Sequence, residues 1–125
     1  MSEISNLNGL RVLVVEDEMM VSMLIEDMLI DLGCTVIGPA ARLNEALALA
    51  NEVEIDCAVL DVNLGGEPIF PLADVLRDKG VRFAFATGYG DAGVRENDQT
   101  SPVLQKPFRE CDLAKVLNEL QIKVT

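Results

Sequence analysis

Short apolar runs alternate along this chain with longer stretches whose apolar positions recur every three or four residues. The run Arg11-Val12-Leu13-Val14-Val15 stops on Glu16-Asp17-Glu18. Such a run, bounded by polar or turn residues, reads as a buried strand of a parallel sheet. A helix is predicted over about 18–32, with its polar positions Ser22, Glu26, Asp27 and Asp31 on one narrow stripe and Gly33 as its stop. Cys34-Thr35-Val36-Ile37 is a second strand, closed by Gly38-Pro39. The next helix, about 42–51, aligns Leu43, Ala46, Leu47 and Ala50 on one face.

The third strand, 57–61, is the most abrupt. Cys57-Ala58-Val59-Leu60 ends on Asp61, and Gly65-Gly66 follow shortly after. Pro68 is predicted to open a helix carrying Ile69, Leu72, Ala73 and Leu76, with Pro71 tolerated in its first turn. A fourth strand spans 81–87, a short fifth 103–105, and a last helix 109–122 presents Leu113, Val116, Leu117 and Leu120. Residues 88–101 are polar and glycine-rich. Between Asp91 and Gln99 only Ala92 and Val94 are apolar, too little to hold a surface helix on a core. The fourth helix is therefore expected to be weak or disordered, a mobile switch.

Strand and helix alternating five times predicts an α/β fold: a doubly wound, flavodoxin-like, five-stranded parallel sheet of order 2-1-3-4-5. Right-handed crossovers put helices on both faces. Residues 1–9 read as a tail and 10–122 as one domain.

Composition narrows the chemistry. Ten basic against 21 acidic residues give a net charge of −11, which disfavours nucleic acid and suits divalent cations or basic protein surfaces. The chain has no histidine, which excludes a Cys/His zinc site and any Ser-His or Cys-His catalytic pair. Cys34, Cys57 and Cys111 read as core thiols of a reducing cytosol. No signal peptide is seen and no apolar run is long enough to cross a membrane, so a cytoplasmic location is expected.

In a sheet of this order strands 1 and 3 are neighbours, and their ends lie about 5 Å apart. Glu16, Asp17 and Asp61 would crowd into one pocket at the carboxyl end of the sheet, where such folds bind ligands. Three carboxylates this close repel one another, and Mg²⁺ would relieve the repulsion. Asp61 could then act as a nucleophile on phosphorus and form an acyl phosphate. Thr87, ending strand 4, offers a hydroxyl to a phosphoryl oxygen. Lys106, ending strand 5, lies roughly 10 Å from Asp61 along the sheet, a span much of which its stem can cover.

With these residues in place the chain resembles a two-component response-regulator receiver domain over nearly its whole length. The pieces that carry the likeness are Val14-Val15-Glu16-Asp17-Glu18, Leu60-Asp61-Val62-Asn63, Ala86-Thr87-Gly88 and Lys106-Pro107-Phe108. The resemblance implies Asp61 as phosphoacceptor and Glu16 and Asp17 as the acidic pair serving Mg²⁺. It further implies the Asn63 backbone carbonyl as a metal ligand, Thr87 as the switch hydroxyl and Lys106 as the phosphate-binding lysine. The implied partners are a sensor histidine kinase or histidine phosphotransfer protein and a downstream protein target. The implied role is signalling, or a phosphate shuttle or sink, and not enzymatic beyond the domain's own phosphorylation and autodephosphorylation. A cis Lys106–Pro107 peptide is expected.

Two departures stand out. The family usually has an aromatic three residues before the lysine, and Val103 stands there. Phe85-Ala86-Thr87-Gly88-Tyr89 is similar to the subgroup named for its Phe-Ala-Thr-Gly run (FATGUY-like), and Tyr89 is the candidate substitute switch. With no output domain in the chain, a stand-alone receiver is expected. Rivals fit less well. An aspartyl-nucleophile phosphohydrolase usually carries a second Asp where Asn63 stands, and a flavodoxin-type phosphate loop would be repelled by Glu16-Asp17-Glu18. A pseudo-receiver that binds partners without phosphorylation would have no need of all five functional side chains. Met19, Met20 and Met23, near the strand ends on the first helix, suit an adaptable docking face.

Overall fold

The computed structural model describes residues 7–88 and 101–121. Strand β1 (Arg11–Val15) leads to helix α1 (Met19–Asp31), β2 (Thr35–Ala40), α2 (Leu43–Glu52) and β3 (Cys57–Asp61). A short pair, β4 (Asn63–Leu64) and β5 (Glu67–Pro68), comes next, then α3 (Phe70–Asp78), β6 (Arg82–Thr87), β7 (Val103–Gln105) and α4 (Glu110–Gln121). The main sheet is five-stranded and parallel, in the order β2-β1-β3-β6-β7. Setting the β4–β5 pair aside, this is the 2-1-3-4-5 order read from the alternation.

Period-2 alternation sorts each strand's side chains between two faces. Val12, Val14, Cys57, Val59, Ala84, Ala86 and Leu104 pack with Ile25 and Leu29 of α1 and with Leu113, Val116 and Leu117 of α4. Leu13, Val15, Ala58, Leu60, Phe83 and Phe85 pack on the other face with Ala46 and Ala50 of α2 and Leu72, Ala73 and Leu76 of α3. Every residue of β3 is buried, as the central strand of a sheet covered on both faces should be.

Four expectations need correction. Gly38-Pro39 does not close β2. The strand runs through it to Ala40, with a register slip against β1 between Leu13 and Val15. An edge strand tolerates both a proline and a bulge. Gly38 sits at φ 95°, and a Cβ there would meet Ala40 N at 2.8 Å and Val14 O at 3.1 Å. Pro68 does not open a helix; it pairs with Asn63 across an antiparallel hairpin, and the helix starts at Phe70. Cys111 is exposed on α4, whereas Cys34 and Cys57 are buried. Burial, then the nearness of Cys34 and Asp56, pushes the Cys57 thiol up to about 12, so it stays an inert core group. On α1, Ser22 is buried and donates to the Met19 carbonyl at 2.9 Å, so it does not belong to a polar outer stripe.

The proposed switch segment and Tyr89 fall at residues 89–100, outside the described residues. No described helix is long and apolar enough to cross a membrane.

Candidate functional site

Each site residue stands where a strand of the main sheet runs out at its carboxyl end. β1 and β3 are bonded neighbours, with Val15 opposite Leu60. Glu16 and Asp17 therefore emerge beside Asp61, which is itself paired with Ala86 of β6. Oxygens of Glu16, Asp17 and Asp61 all lie within 4.8 Å of one another. Glu16 and Asp61 are buried and Asp17 is exposed. The cluster has one open side, facing solvent at Asp17. Hard oxygen donors at this spacing match what Mg²⁺ takes, with the open side left for water.

Thr87 ends β6 and is buried. Its carbonyl accepts from the Lys106 backbone N–H at 2.9 Å, which extends the β6–β7 ladder by one residue and fixes where the Lys106 stem begins. The Lys106–Pro107 peptide is cis, as expected; Gly38–Pro39 is cis as well. Lys106 Nζ donates to Glu16 Oε1 at 2.7 Å and lies 3.6 Å from Asp61 Oδ2. The stem thus crosses the sheet edge from β7 to the β1–β3 pocket, the reach required of it.

Burial opposes the charge on Lys106. The hydrogen bond to Glu16 and the attraction of Asp61, Glu16 and Glu18 overcome that, and its ammonium titrates above the ordinary lysine range. The second oxygen of Glu16 accepts from the Glu18 backbone N–H at 3.2 Å. Glu16 is therefore held from two sides, as a buried carboxylate must be. The close Lys106–Glu16 contact was not legible in the sequence, where Glu16 reads only as a cation ligand. The glutamate stem is one methylene longer than aspartate's, and this lets it reach the lysine.

The backbone of Asn63 lies in β4, two residues past Asp61. The hairpin it opens was also missed, although Gly65-Gly66 between Leu64 and Glu67 is a two-residue turn signal. A Cβ on Gly65 would come within 3.5 Å of Asp17 Oδ2, so the turn lies against the acidic pocket.

On the other flank, Val21, Leu24, Ile25 and Met28 of α1 and Pro107 and Phe108 line a groove of about 290 Å³ that Glu18 and Lys106 close at the site end. Met19, Met20 and Met23 are 74%, 80% and 55% exposed, and Leu24 and Ile30 are exposed with them.

A doubly wound sheet with acids just past β1 and at the end of β3, a hydroxyl at the end of β6 and a lysine just past β7 defines a receiver. The chain belongs to the response regulator receiver domain family, whose model matches residues 12–118. Among solved structures it is similar to SdrG from Sphingomonas melonis Fr1, at 41% identity over 94% of this chain and 99% of that one, with a TM-score of 0.82. The BeF3-activated conformation of SdrG from Pseudomonas melonis Fr1 matches at 40% identity over 90% of this chain and 96% of that one, with a TM-score of 0.78. The response regulator PhyR from Brucella abortus matches at 27% identity and a TM-score of 0.80. There the match covers 94% of this chain and 50% of PhyR, so this chain spans about half of that longer protein. No curated protein matches the chain.

Proposed function

We propose that this receiver, taken as residues 10–122, accepts a phosphoryl group on Asp61. The donor is a histidine kinase or a histidine phosphotransfer protein. An Asp61 carboxylate oxygen attacks the donor's phosphorus, an O–P bond forms, and the N–P bond breaks with its electron pair staying on the imidazole, which then takes up a proton. The observation that carries this reading is the position of Asp61, between the carboxylates of Glu16 and Asp17 and the Lys106 ammonium at 3.6 Å.

Glu16, Asp17, Asp61 and the Asn63 backbone carbonyl would hold Mg²⁺, which supplies charge neutralisation to a transferring phosphoryl group. Lys106 brings an ammonium to the phosphoryl oxygens, and the Thr87 hydroxyl reads their presence. A 40% identical SdrG chain adopts a BeF3-activated conformation, and trifluoroberyllate is a tetrahedral anion of phosphoryl shape. That likeness supports Asp61 as phosphoacceptor, and the Phe85-Ala86-Thr87-Gly88-Tyr89 run supports the Phe-Ala-Thr-Gly subgroup with Tyr89 as its switch aromatic.

The donor docks on α1. Its exposed methionines and the groove beside Lys106 give an adaptable apolar landing next to the reacting carboxylate. Output passes to a downstream protein target, or the domain serves as a shuttle or sink. The chain is cytoplasmic in this reading and catalyses nothing beyond its own phosphorylation and its reversal.

Incubation with acetyl phosphate and Mg²⁺, followed by intact mass, tests the reading. One phosphate adduct is expected in the wild type and none in Asp61→Asn. An adduct that persists in the mutant would refute the assignment, and a wild type that never takes phosphate would favour a pseudo-receiver.

A further inference from the structure

Thioethers gather at the start of α1. Met19, Met20 and Met23, three of the chain's five methionines, are 74%, 80% and 55% exposed. Residues three and four apart share a helix face, so Met20, Met23 and Leu24 form one apolar patch, with Met19 beside Met23. Glu18 directly precedes the helix and closes the groove at the Lys106 end, and Leu24 lines that groove. The patch therefore borders the reacting carboxylate. Met28 lines the groove as well but is half-buried. The thiols lie elsewhere: Cys34 and Cys57 are buried, and Cys111 is exposed on α4.

We propose that Met19, Met20 and Met23 form a reversible oxidation site that switches off docking of the phosphoryl donor. The effect on docking rests on the reading of α1 as the donor's landing face. A thioether carries no titratable proton, so access to the sulfur sets where it reacts. The oxidant is hydrogen peroxide, a neutral molecule that the chain's net charge of −11 does not repel. A sulfur lone pair attacks one peroxide oxygen, an S–O bond forms and the O–O bond breaks. Sulfur gives up two electrons. The departing hydroxide takes the proton of the transferred oxygen and leaves as water. The sulfoxide is polar where the thioether was apolar, and methionine sulfoxide reductases reverse the change. A donor surface closing over it must strip water from the new oxygen with no bond in return. A small phosphodonor reaches Asp61 without touching the helix, so its reaction continues.

Peroxide treatment of the full chain carrying Cys111→Ser, which keeps the exposed thiol out of the result, tests this. Peptide mass spectrometry should find one added oxygen on each of Met19, Met20 and Met23 before Met28 reacts. An autophosphorylated histidine kinase that labels the untreated chain serves as the protein donor, and acetyl phosphate as the small one. Oxidation should slow labelling by the kinase about tenfold or more, and sulfoxide reductases should restore it. Labelling by acetyl phosphate should not change, and circular dichroism should show the oxidised chain folded. With Met19→Leu, Met20→Leu and Met23→Leu added, peroxide should no longer alter the kinase's rate. Met28 reacting as fast as the three, an unchanged kinase rate, equal slowing with both donors, loss of the fold, or slowing that persists in the leucine variant would each overturn the proposal. A kinase rate indifferent to Met23→Glu would overturn the docking reading, and the switch with it. An untreated chain that acetyl phosphate does not label would overturn the phosphoacceptor reading itself.

Discussion

Glu16 and Lys106 show how much of the site is set by single side chains. Glu16 is 2% exposed, and a lone carboxylate there would carry a heavy desolvation penalty. Lys106 meets it at 2.7 Å, and the pair holds because each charge answers the other. The sign of the pH dependence follows from Lys106. Its folded pKa lies above the ordinary 10.5, so its stabilisation is present in full below that value and is lost as pH rises past it. Denaturant melts at pH 9 and pH 11 should show the wild type losing stability across that interval by more than Lys106→Gln does. A Lys106→Gln curve parallel to the wild type would mean that the ion pair contributes nothing.

At the level of elements, α1 and β2 depart furthest from their sequence patterns. The outer side of α1 carries Met20, Met23, Leu24 and Ile30, with Asp27 and Asp31 toward the far end. A helix apolar on nearly every side gives no clear period, so the sequence cannot say which side faces the core. The sheet decides it, by taking Ile25 and Leu29. Because Met23 is exposed, Met23→Glu should change stability by no more than about 0.5 kcal/mol. It should slow phosphorylation by a donor protein and leave acetyl phosphate labelling unchanged. If both reactions proceed as in wild type, α1 is not the docking face. In β2 the bulge depends on Gly38, where a side chain would strike the backbone of Ala40 and Val14. Gly38→Ala should cost about 1–3 kcal/mol, measured by urea unfolding.

For the whole molecule, the proposed cation site in the cluster of acids at one end of the sheet would link folding to cations. A ligand bound only by the folded chain stabilises it by mass action, about 2.7 kcal/mol at one hundred times its dissociation constant. Saturating Mg²⁺ should raise the thermal midpoint above its value in chelator, and Asp17→Asn should lose most of that rise. A midpoint indifferent to Mg²⁺ in the wild type would count against the cation site.

The alternation of apolar runs and helical periods determines that the sheet is parallel and that a core lies on each of its faces, because strands joined through helices must be buried on two sides. It also places Glu16, Asp17, Asp61, Thr87 and Lys106 at the carboxyl ends of strands, since each stands within two residues of the end of an apolar run. Tertiary structure alone decides which oxygen the Lys106 ammonium meets first, because a flexible stem can reach either Glu16 or Asp61. It decides which side of α1 stays in solvent, because nearly every side of that helix is apolar. It also decides that Pro68 pairs with Asn63 instead of opening a helix, because a proline with no N–H to give suits an unbonded hairpin position as well as a helix's first turn.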